Sequence, residues 1–338
     1  MQDLTIQKKP LVTLAVLVYN QVDYVESSIR GALSQDYSNL EIIISDDCST
    51  DGTFNRVKEI VSQYKGDHTV RVNQTSKNKC TLGHFFDVID LASGELLVLA
   101  AGDDISKPER VTKTVNVWKE ESAVGIFSNY ELIDGDGDGV ANGEIYNPSG
   151  ESLLLTRVFK KADSFDIHGA SSSYDMSFLS SLPRVNGRFF FEDTFMTFMI
   201  NILGGKISKI DEPLVFYRSH SDSISNAKSE LYSLSSIQST EKRASDYAAN
   251  KYELYILLRE IALSIPNNKI NILFDFHELN SHIDKLKLKS SWTKSLFLKR
   301  VSYTYKYRQD KHFYKWITPR ILGLELFSVF KIIKTKII

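Results

Sequence analysis

Cysteine and proline are scarce, at two and seven in 338 residues. Cys48 and Cys80 have neither the number nor the spacing of a disulfide framework or a zinc site, which points to a reducing compartment. With 17 glycines and so few prolines there is no low-complexity tract. No stretch reaches the roughly 18 uninterrupted apolar residues that cross a bilayer, and the opening MQDLTIQKKP lacks the apolar run of a signal peptide. A globular chain starting in the cytoplasm is expected, long enough for one large or two ordinary domains. Its 42% hydrophobic content suffices for a sizeable core.

The formal net charge of −1 hides an asymmetry. From residue 285 to the end, 14 Lys and Arg face only Asp310 and Glu325, a balance of +12 against −13 for the rest. A basic tail of this kind meets an anionic surface, membrane or nucleic acid. Leu322, Leu326, Val329, Phe330, Ile333 and Ile337 fall on one helical stripe flanked by Arg320, Lys331, Lys334 and Lys336. That pattern describes a basic amphipathic helix lying on an anionic membrane, or a terminal helix docked on the protein's own core.

Over the first 130 residues, apolar runs alternate with helical spacings. Leu11 to Val18 reads as a strand ending at Tyr19 and Asn20, followed by a helix with Val25, Ile29 and Leu33. Leu40 to Ser45 repeats the strand and delivers Asp46 and Asp47; Phe54, Val57, Ile60 and Val61 mark the next helix. A short strand at Thr69 to Val72 precedes a helix from Leu82 to Leu91, and Leu97 to Ala101 is a buried strand running through Gly102 into Asp103 and Asp104. A helix with Val111, Val115 and Trp118 and a strand at Val124 to Phe127 follow. Such alternation predicts a mostly parallel, doubly wound α/β sheet. Ligands of such sheets collect beyond the carboxyl ends of the strands. Two adjacent acids there suit a hard divalent cation that completes its shell with water and phosphate oxygens, or else shape a turn and cap the helix after Pro108.

Beyond Tyr130 the rhythm changes. The run DGDGDG from Asp134 to Gly139 resembles the start of a calcium loop, but position twelve is Ile145 or Asn147 and the bidentate Glu is missing; a turn between two strands is expected. Residues 162–177, rich in Ser and Asp with His168 and Gly169, are expected to line a pocket. Phe189 to Thr194 sets Glu192 and Asp193 behind three phenylalanines and ahead of an apolar helix, where an acid caps the helix or does chemistry. A strand at Leu214 to Tyr217 leads into Arg218 and His220. From Ala227 on the spacings are helical, giving domains at 1–225 and 226–338, the second a helical region with the basic tail.

The ordered segments VLVYN (Val16 to Asn20), SDDCSTDGT (Ser45 to Thr53), ASGELLVLAAGDD (Ala92 to Asp104), FFFED (Phe189 to Asp193) and YRSH (Tyr217 to His220) resemble a family 2 inverting glycosyltransferase of the GT-A fold. The resemblance covers roughly residues 10 to 225 and implies a Rossmann-like nucleotide-sugar-binding domain. It implies that Tyr19 and Asp47 hold the base of a nucleotide-sugar donor with Asp46 nearby, and that Asp103 meets the ribose. It further implies that Asp104 binds Mn²⁺ or Mg²⁺ bridging the diphosphate, with His220 close to the metal, and that Asp193 is the general base. Cys48 replaces a commoner Gly or Asn, and Asp103-Asp104-Ile105 replaces Asp-X-Asp, which bears on the number of metal ligands.

The residues support this chemistry independently of the resemblance. A divalent ion neutralises charge building on a leaving diphosphate. A carboxylate within reach of the acceptor hydroxyl takes its proton, and the phenylalanines beside Asp193 are expected to raise its basicity by desolvation. The expected function is transfer from a nucleotide-diphosphate sugar, UDP on family precedent, to a glycan or lipid-linked acceptor in polysaccharide biosynthesis, peripheral on the inner face of the cell membrane. Paired carboxylates also describe a glycoside hydrolase, against which stand the nucleotide-type motifs at the strand ends. Two further readings are a non-catalytic sugar-nucleotide scaffold and a nucleic-acid module stacking bases on Tyr303, Tyr305, Tyr307 and Trp316. The −13 balance outside the tail weighs against nucleic acid.

Overall fold

The computed structural model describes residues 9–139, 145–146, 157–160, 166–220, 234–292 and, within 302–310, all but 304 and 308 (backbone alone at 145–146 and 234–241). The chain divides into two compact units, Met1–Ser219 with Ile265–Phe274, and His220–Ser264 with Asp275–Ile338.

The first unit is built on β1 (Val12–Val18), a run so apolar that both faces must be covered. It pairs in parallel with β2 (Leu40–Asp46) on one side and β4 (Leu96–Ala101) on the other, and β3 (Thr69–Gln74) extends the parallel half beyond β2. Helices α1 (Val25–Leu33), α2 (Thr53–Ser62) and α4 (Arg110–Glu121) cover one face. There Val12, Leu14, Val16 and Val18 form one core with Val25, Ile29, Val57, Ile60, Val111 and Val115. Helix α3 (Cys80–Leu91) packs on the opposite face. Its Phe85 and Phe86 rings lie 5.7 Å from those of Tyr174 and Phe195.

Past β4 the sheet becomes mixed. The short β5 (Ile105–Ser106), β6 (Gly125–Ile133), β7 (Ile145–Tyr146), β8 (Ser173–Asp175) and β9 (Ile207–Arg218) complete it, in the order β3-β2-β1-β4-β8-β6-β9-β5 with β7 beside β6. β8 is antiparallel to both β4 and β6, while β6 and β9 run parallel around a bulge at Ser128 to Tyr130. That bulge seats Pro213, which lacks the N–H an unbroken ladder needs. Helices α5 (Met176–Ser181) and α6 (Glu192–Ile202) follow β8, α5 capped by Asp175 accepting from the Phe178 N–H. Segment 265–274 belongs to this unit through Asn271, which bonds the Ile202 and Asn201 carbonyls, and Phe274, whose ring is tilted against Phe159 and edge-on to Phe198.

The second unit pairs α7 (Leu234–Ser264) with α8 (Phe276–Ser291). Leu254, Tyr255, Leu258 and Ala262 are buried on α7, and Leu279, Ile283 and Leu286 on α8. Tyr303 and Tyr307 pack against Leu288 and Trp292, so two rings of the nucleic-acid reading serve the unit's own core, whereas Tyr305 is exposed. Among the described residues no helix is long and apolar enough to cross a membrane. The amphipathic tail from 320 onward, and Trp316, lie outside the described residues.

Helix α1 meets β5 at Gly31, where an added Cβ would stand 2.9 Å from the Ser106 carbonyl oxygen and 3.0 Å from the Ser106 nitrogen. Backbone this close leaves no room for a methyl group. Gly31→Ala should therefore lower stability by about 1–3 kcal/mol through overpacking, although alanine is the better helix former by about 1 kcal/mol. Denaturant unfolding checks this; an alanine variant as stable as wild type would show that α1 and β5 are not locked together.

Candidate functional site

The carboxyl ends of β2, β1 and β4 lie side by side because their register is continuous, with Val18 opposite Asp46 and Leu17 opposite Ala101. The ladder runs one bond further on each side. The Asp47 N–H donates to the Val18 carbonyl and the Gly102 N–H to the Leu17 carbonyl, both at 2.9 Å. Tyr19, Asp46, Asp47 and Asp103 thus share one edge of the sheet. Gly102 packs closely there, since a Cβ would meet the Gln21 side chain at 2.3 Å and Val18 at 2.8 Å, so both would have to shift.

Tyr19 is 45% exposed and stands at the rim. The loop after it is laced to the loop after β2: the Asn20 N–H donates to Ser49 Oγ at 2.8 Å, the Thr50 N–H to Asn20 Oδ1 at 2.8 Å, and the Gln21 N–H to Thr53 Oγ1 at 2.8 Å. Asn20 takes the left-handed conformation at φ 52, which asparagine tolerates better than most residues. Asp46 is buried, with Oδ1 accepting from the Ser49 N–H and Gln74 Nε2. Asp47 is also buried and accepts from Thr75 Oγ1 at 3.1 Å and, through both oxygens, from the Lys79 N–H at 2.9 and 3.0 Å. This carboxylate ties β3 to the start of α3, a structural task the sequence did not reveal.

Asp103 is half-buried and Asp104 buried, on the turn between β4 and β5. Asp104 Oδ1 accepts the Arg218 N–H at 2.8 Å, while its Oδ2 is buried without a hydrogen-bond partner among the described residues. Burial first, and then the Asp103 charge, pushes the Asp104 carboxyl well above the usual range. An orphaned buried carboxylate oxygen is the kind of donor that a hard divalent cation takes, so the residue fits a metal site. Among the described residues, no group of three or more His, Cys, Asp or Glu is arranged as a complete cage. Mg²⁺ typically binds through one or two carboxylates and fills the rest of its shell from water and phosphate. His220 is half-buried two residues past Arg218, at the start of the second unit.

Beneath this turn lies Arg110, 1% exposed, on α4. It donates to Ser106 Oγ at 2.9 Å and, through Nη2, to the Leu99 carbonyl at 2.5 Å and the Ser172 carbonyl at 3.4 Å. Burial pulls it down to about 10 while Asp104 acts to raise it. The Leu99 N–H in turn donates to the Ser172 carbonyl at 3.0 Å, joining β4 to the single-turn helix Gly169–Ser171. Gly169 faces the other acids: a Cβ there would fall 2.3 Å from Glu192 Oε1 and 3.7 Å from the Asp193 Cβ. A continuous set of contacts thus leads from the Asp103-Asp104 turn to the first turn of α6. His168, just before Gly169, stacks on Tyr130 with centroids 4.4 Å apart, and burial holds its imidazole down at about 4.

At α6 the helix begins with Glu192, so both acids sit in its first turn and Phe191 occupies the cap position. Asp193 is half-buried and its Oδ1 accepts from the Thr194 N–H. Burial acts strongly on Glu192, the acid next to the one singled out from the sequence; burial and the neighbouring Asp193 push it up to about 8. The tight turn over Asp134–Gly139 is a turn as expected, with Asp134 Oδ1 accepting from the Asp136 and Asp138 N–H groups and Gly137 at φ 94. Its carbonyls receive the Arg218 guanidinium. Arg110 and Arg218 carried no signal of their own in the sequence; only the position of Arg218 directly after a strand and ahead of His220 marked it.

The sequence profile of glycosyl transferase family 2 matches residues 13–182, half of the chain and the whole of the strand-end edge. The chain belongs to glycosyl transferase family 2. Among its family 2 relatives is the putative teichuronic acid biosynthesis glycosyltransferase TuaG of Bacillus subtilis, 32% identical over 130 residues, covering 38% of this chain and 50% of TuaG. Another is WfaP of Escherichia coli, described as a UDP-Glc:α-D-GlcNAc-diphosphoundecaprenol β-1,3-glucosyltransferase, 27% identical over 122 residues, covering 36% and 47%. The chain spans about half the length of these curated relatives. In structure it is similar to the mannosyltransferase PcManGT of Pyrobaculum calidifontis, solved with GDP-Man and Mn²⁺, with a TM-score of 0.52 and 16% identity over 97% of this chain and 88% of that one. Staphylococcus aureus TarS, solved with UDP-GlcNAc, aligns with a TM-score of 0.50 and 15% identity over 93% and 81%. These likenesses carry the fold: this family 2 chain is a GT-A α/β domain with a helical C-terminal region.

Glu192 generates a pH prediction. The folded chain keeps its proton where the unfolded chain has lost it, so its contribution to stability falls as pH rises from about 4.5 to about 8. Glu192→Gln stays neutral and escapes that loss, so its melting temperature relative to wild type should climb between about pH 5 and about pH 8.5. Parallel melting curves across that range would remove the buried proton from Glu192.

Proposed function

We propose that this chain is an inverting, metal-assisted glycosyltransferase that moves a sugar from a nucleotide-diphosphate donor, UDP first, to a hydroxyl of a glycan or lipid-linked acceptor in polysaccharide biosynthesis. One observation carries the reading: three parallel strands in register bring an exposed tyrosine and two acidic pairs to one edge, with a buried carboxylate oxygen of Asp104 that has no hydrogen-bond partner among the described residues. WfaP, by its description, takes UDP-Glc and an undecaprenyl-diphosphate-linked sugar, which supports a UDP donor and a lipid-linked acceptor here. The basic tail fits such an acceptor and a peripheral position on the inner face of the membrane.

In this mechanism Tyr19, with its exposed ring, and Asp47 hold the base, with Asp46 nearby and Asp103 meeting the ribose. Asp104, with His220 as a further ligand, would hold Mn²⁺ or Mg²⁺, which when bound neutralises charge developing on the diphosphate. The acceptor oxygen attacks the anomeric carbon as the bond to the diphosphate breaks, and the acceptor proton passes to the Asp193 carboxylate. With nucleophile and leaving group on opposite faces, the anomeric centre inverts. Glu192, holding its own proton up to about 8, adds no second negative charge beside the base at neutral pH.

Asp193→Asn should lower transfer by about 10²- to 10⁴-fold while donor affinity stays at the wild-type level. Turnover with a UDP-sugar and Mn²⁺, alongside calorimetric binding of the donor, checks both halves; retained turnover removes Asp193 from its role. A thermal-shift panel of nucleotide sugars with Mn²⁺ or EDTA identifies the donor, since a ligand of the folded state raises the melting temperature. The membrane reading is separable. Deleting residues 315–338 should abolish flotation with anionic liposomes, and unchanged flotation would assign the tail elsewhere.

A further inference from the structure

Arg218 ends β9, is only 4% exposed, and donates its main-chain N–H and its Nε to the turn that carries Asp103 and Asp104. The antiparallel pairing of β5 with β9 sets Ile105 opposite Phe216, so continuing the register places Asp103 opposite Arg218. Beyond its main-chain bond to Asp104, Arg218 donates through Nε to the Asp103 carbonyl at 2.9 Å. Nη1 reaches the Asp134 and Gly135 carbonyls at 3.1 and 2.9 Å, and Nη2 reaches Ser27 Oγ on α1 at 3.2 Å. The guanidinium lies 5.1 Å from the centre of the Tyr24 ring, beside Gly137, whose φ of 94 favours glycine. One planar cation therefore joins α1, the 103–104 turn and the 134–139 turn.

Arginine suits this place because its five donors form a rigid fork, which three donors on a lysine point charge cannot reproduce. Burying a guanidinium is costly even when its donors are matched, and an apolar side chain would fill the same space without that cost. Its presence is best explained by geometry it enforces. We propose that the Arg218 side chain is a positioning residue for the donor, pinning the Asp103 carbonyl to Ser27 and to the 134–135 carbonyls so that the turn presents its carboxylates in one direction. The inference rests on reading Asp103 and Asp104 as donor- and cation-binding groups. Because Arg218 acts through this turn, its loss is expected to fall on donor binding before it falls on the chemical step.

The test uses the full chain with Arg218→Lys and Arg218→Ala, and Leu179→Ala as a core variant remote from the turn that lowers stability alone. Binding of UDP with Mn²⁺ is measured by calorimetry, with melting temperature and donor KM and kcat alongside. Arg218→Lys should weaken UDP binding and raise donor KM by about tenfold or more, with kcat changed by less than about threefold. Leu179→Ala should melt lower and bind UDP as wild type does. Wild-type affinity in the Arg218 variants overturns the inference, as does a loss in Leu179→Ala that matches theirs. Should neither Arg218 variant fold, Ser27→Ala removes a single anchor and should weaken UDP binding by about threefold; unchanged affinity there also overturns it. A wild-type chain that binds no nucleotide diphosphate defeats the donor reading itself, an outcome distinct from wild type and variants binding equally well.

Discussion

The parallel register of β2, β1 and β4 is the constraint on which the rest of the structure depends. Once Val12 pairs with Leu40 and Leu96, the strands end together, and the N–H groups of Asp47 and Gly102 carry the ladder one residue past the regular pairing. A one-residue slip would exchange the two faces of β1, turning Leu14, Val16 and Val18 away from the core they share with α1, α2 and α4. The same slip would draw the acids away from their common edge. Core packing and site assembly are therefore one requirement here.

The acids gathered at that edge repel each other and lose solvation, and the fold answers with fixed donors. Asp46 and Asp47 are neutralised in part by main-chain N–H groups and by neutral side chains of β3 and its loop. Asp104 lies in the field of two buried arginines, Arg110 and Arg218, and keeps one oxygen unbonded among the described residues. At the first turn of α6 the strain is met differently, since Glu192 retains its proton beside Asp193. Most carboxylate oxygens of this edge are held by donors, while Asp46 Oδ2 and Asp104 Oδ2 have no hydrogen-bond partner among the described residues, the kind of group a hard cation takes.

The family profile ends at residue 182, before Glu192, Asp193 and Arg218, yet these later residues complete the geometry that begins in the matched half. Arg110 reaches β4 and the residue just before β8, and the Gly169 turn reaches the acids of α6. Nearest the carboxylates, Gly102 and Gly169 lie against the side chains of Gln21 and Val18 and of Glu192, which would have to shift to admit a side chain. The second unit has its own core of Leu254, Leu258, Leu279, Ile283 and Trp292.

Apolar periodicity and strand-end acids made β1 to β4 and their helices legible in the sequence, to within a few residues, because each is a local pattern of burial. The order of the five motifs likewise indicated a GT-A domain of family 2. The mixed half of the sheet was less legible: β8 has three residues, and β9 runs to Ile207 through a bulge around Pro213, so neither repeats a period long enough to read. The sequence by itself determined which residue types lie at the strand ends, since hydrophobic runs must be buried and must stop where charge begins. Only the tertiary structure decided what each acid does there. Asp47 bonds to Lys79, Glu192 meets Gly169 and Arg218 holds Asp103 through contacts between residues 23 to 115 positions apart, and such separations leave no periodic trace in a chain.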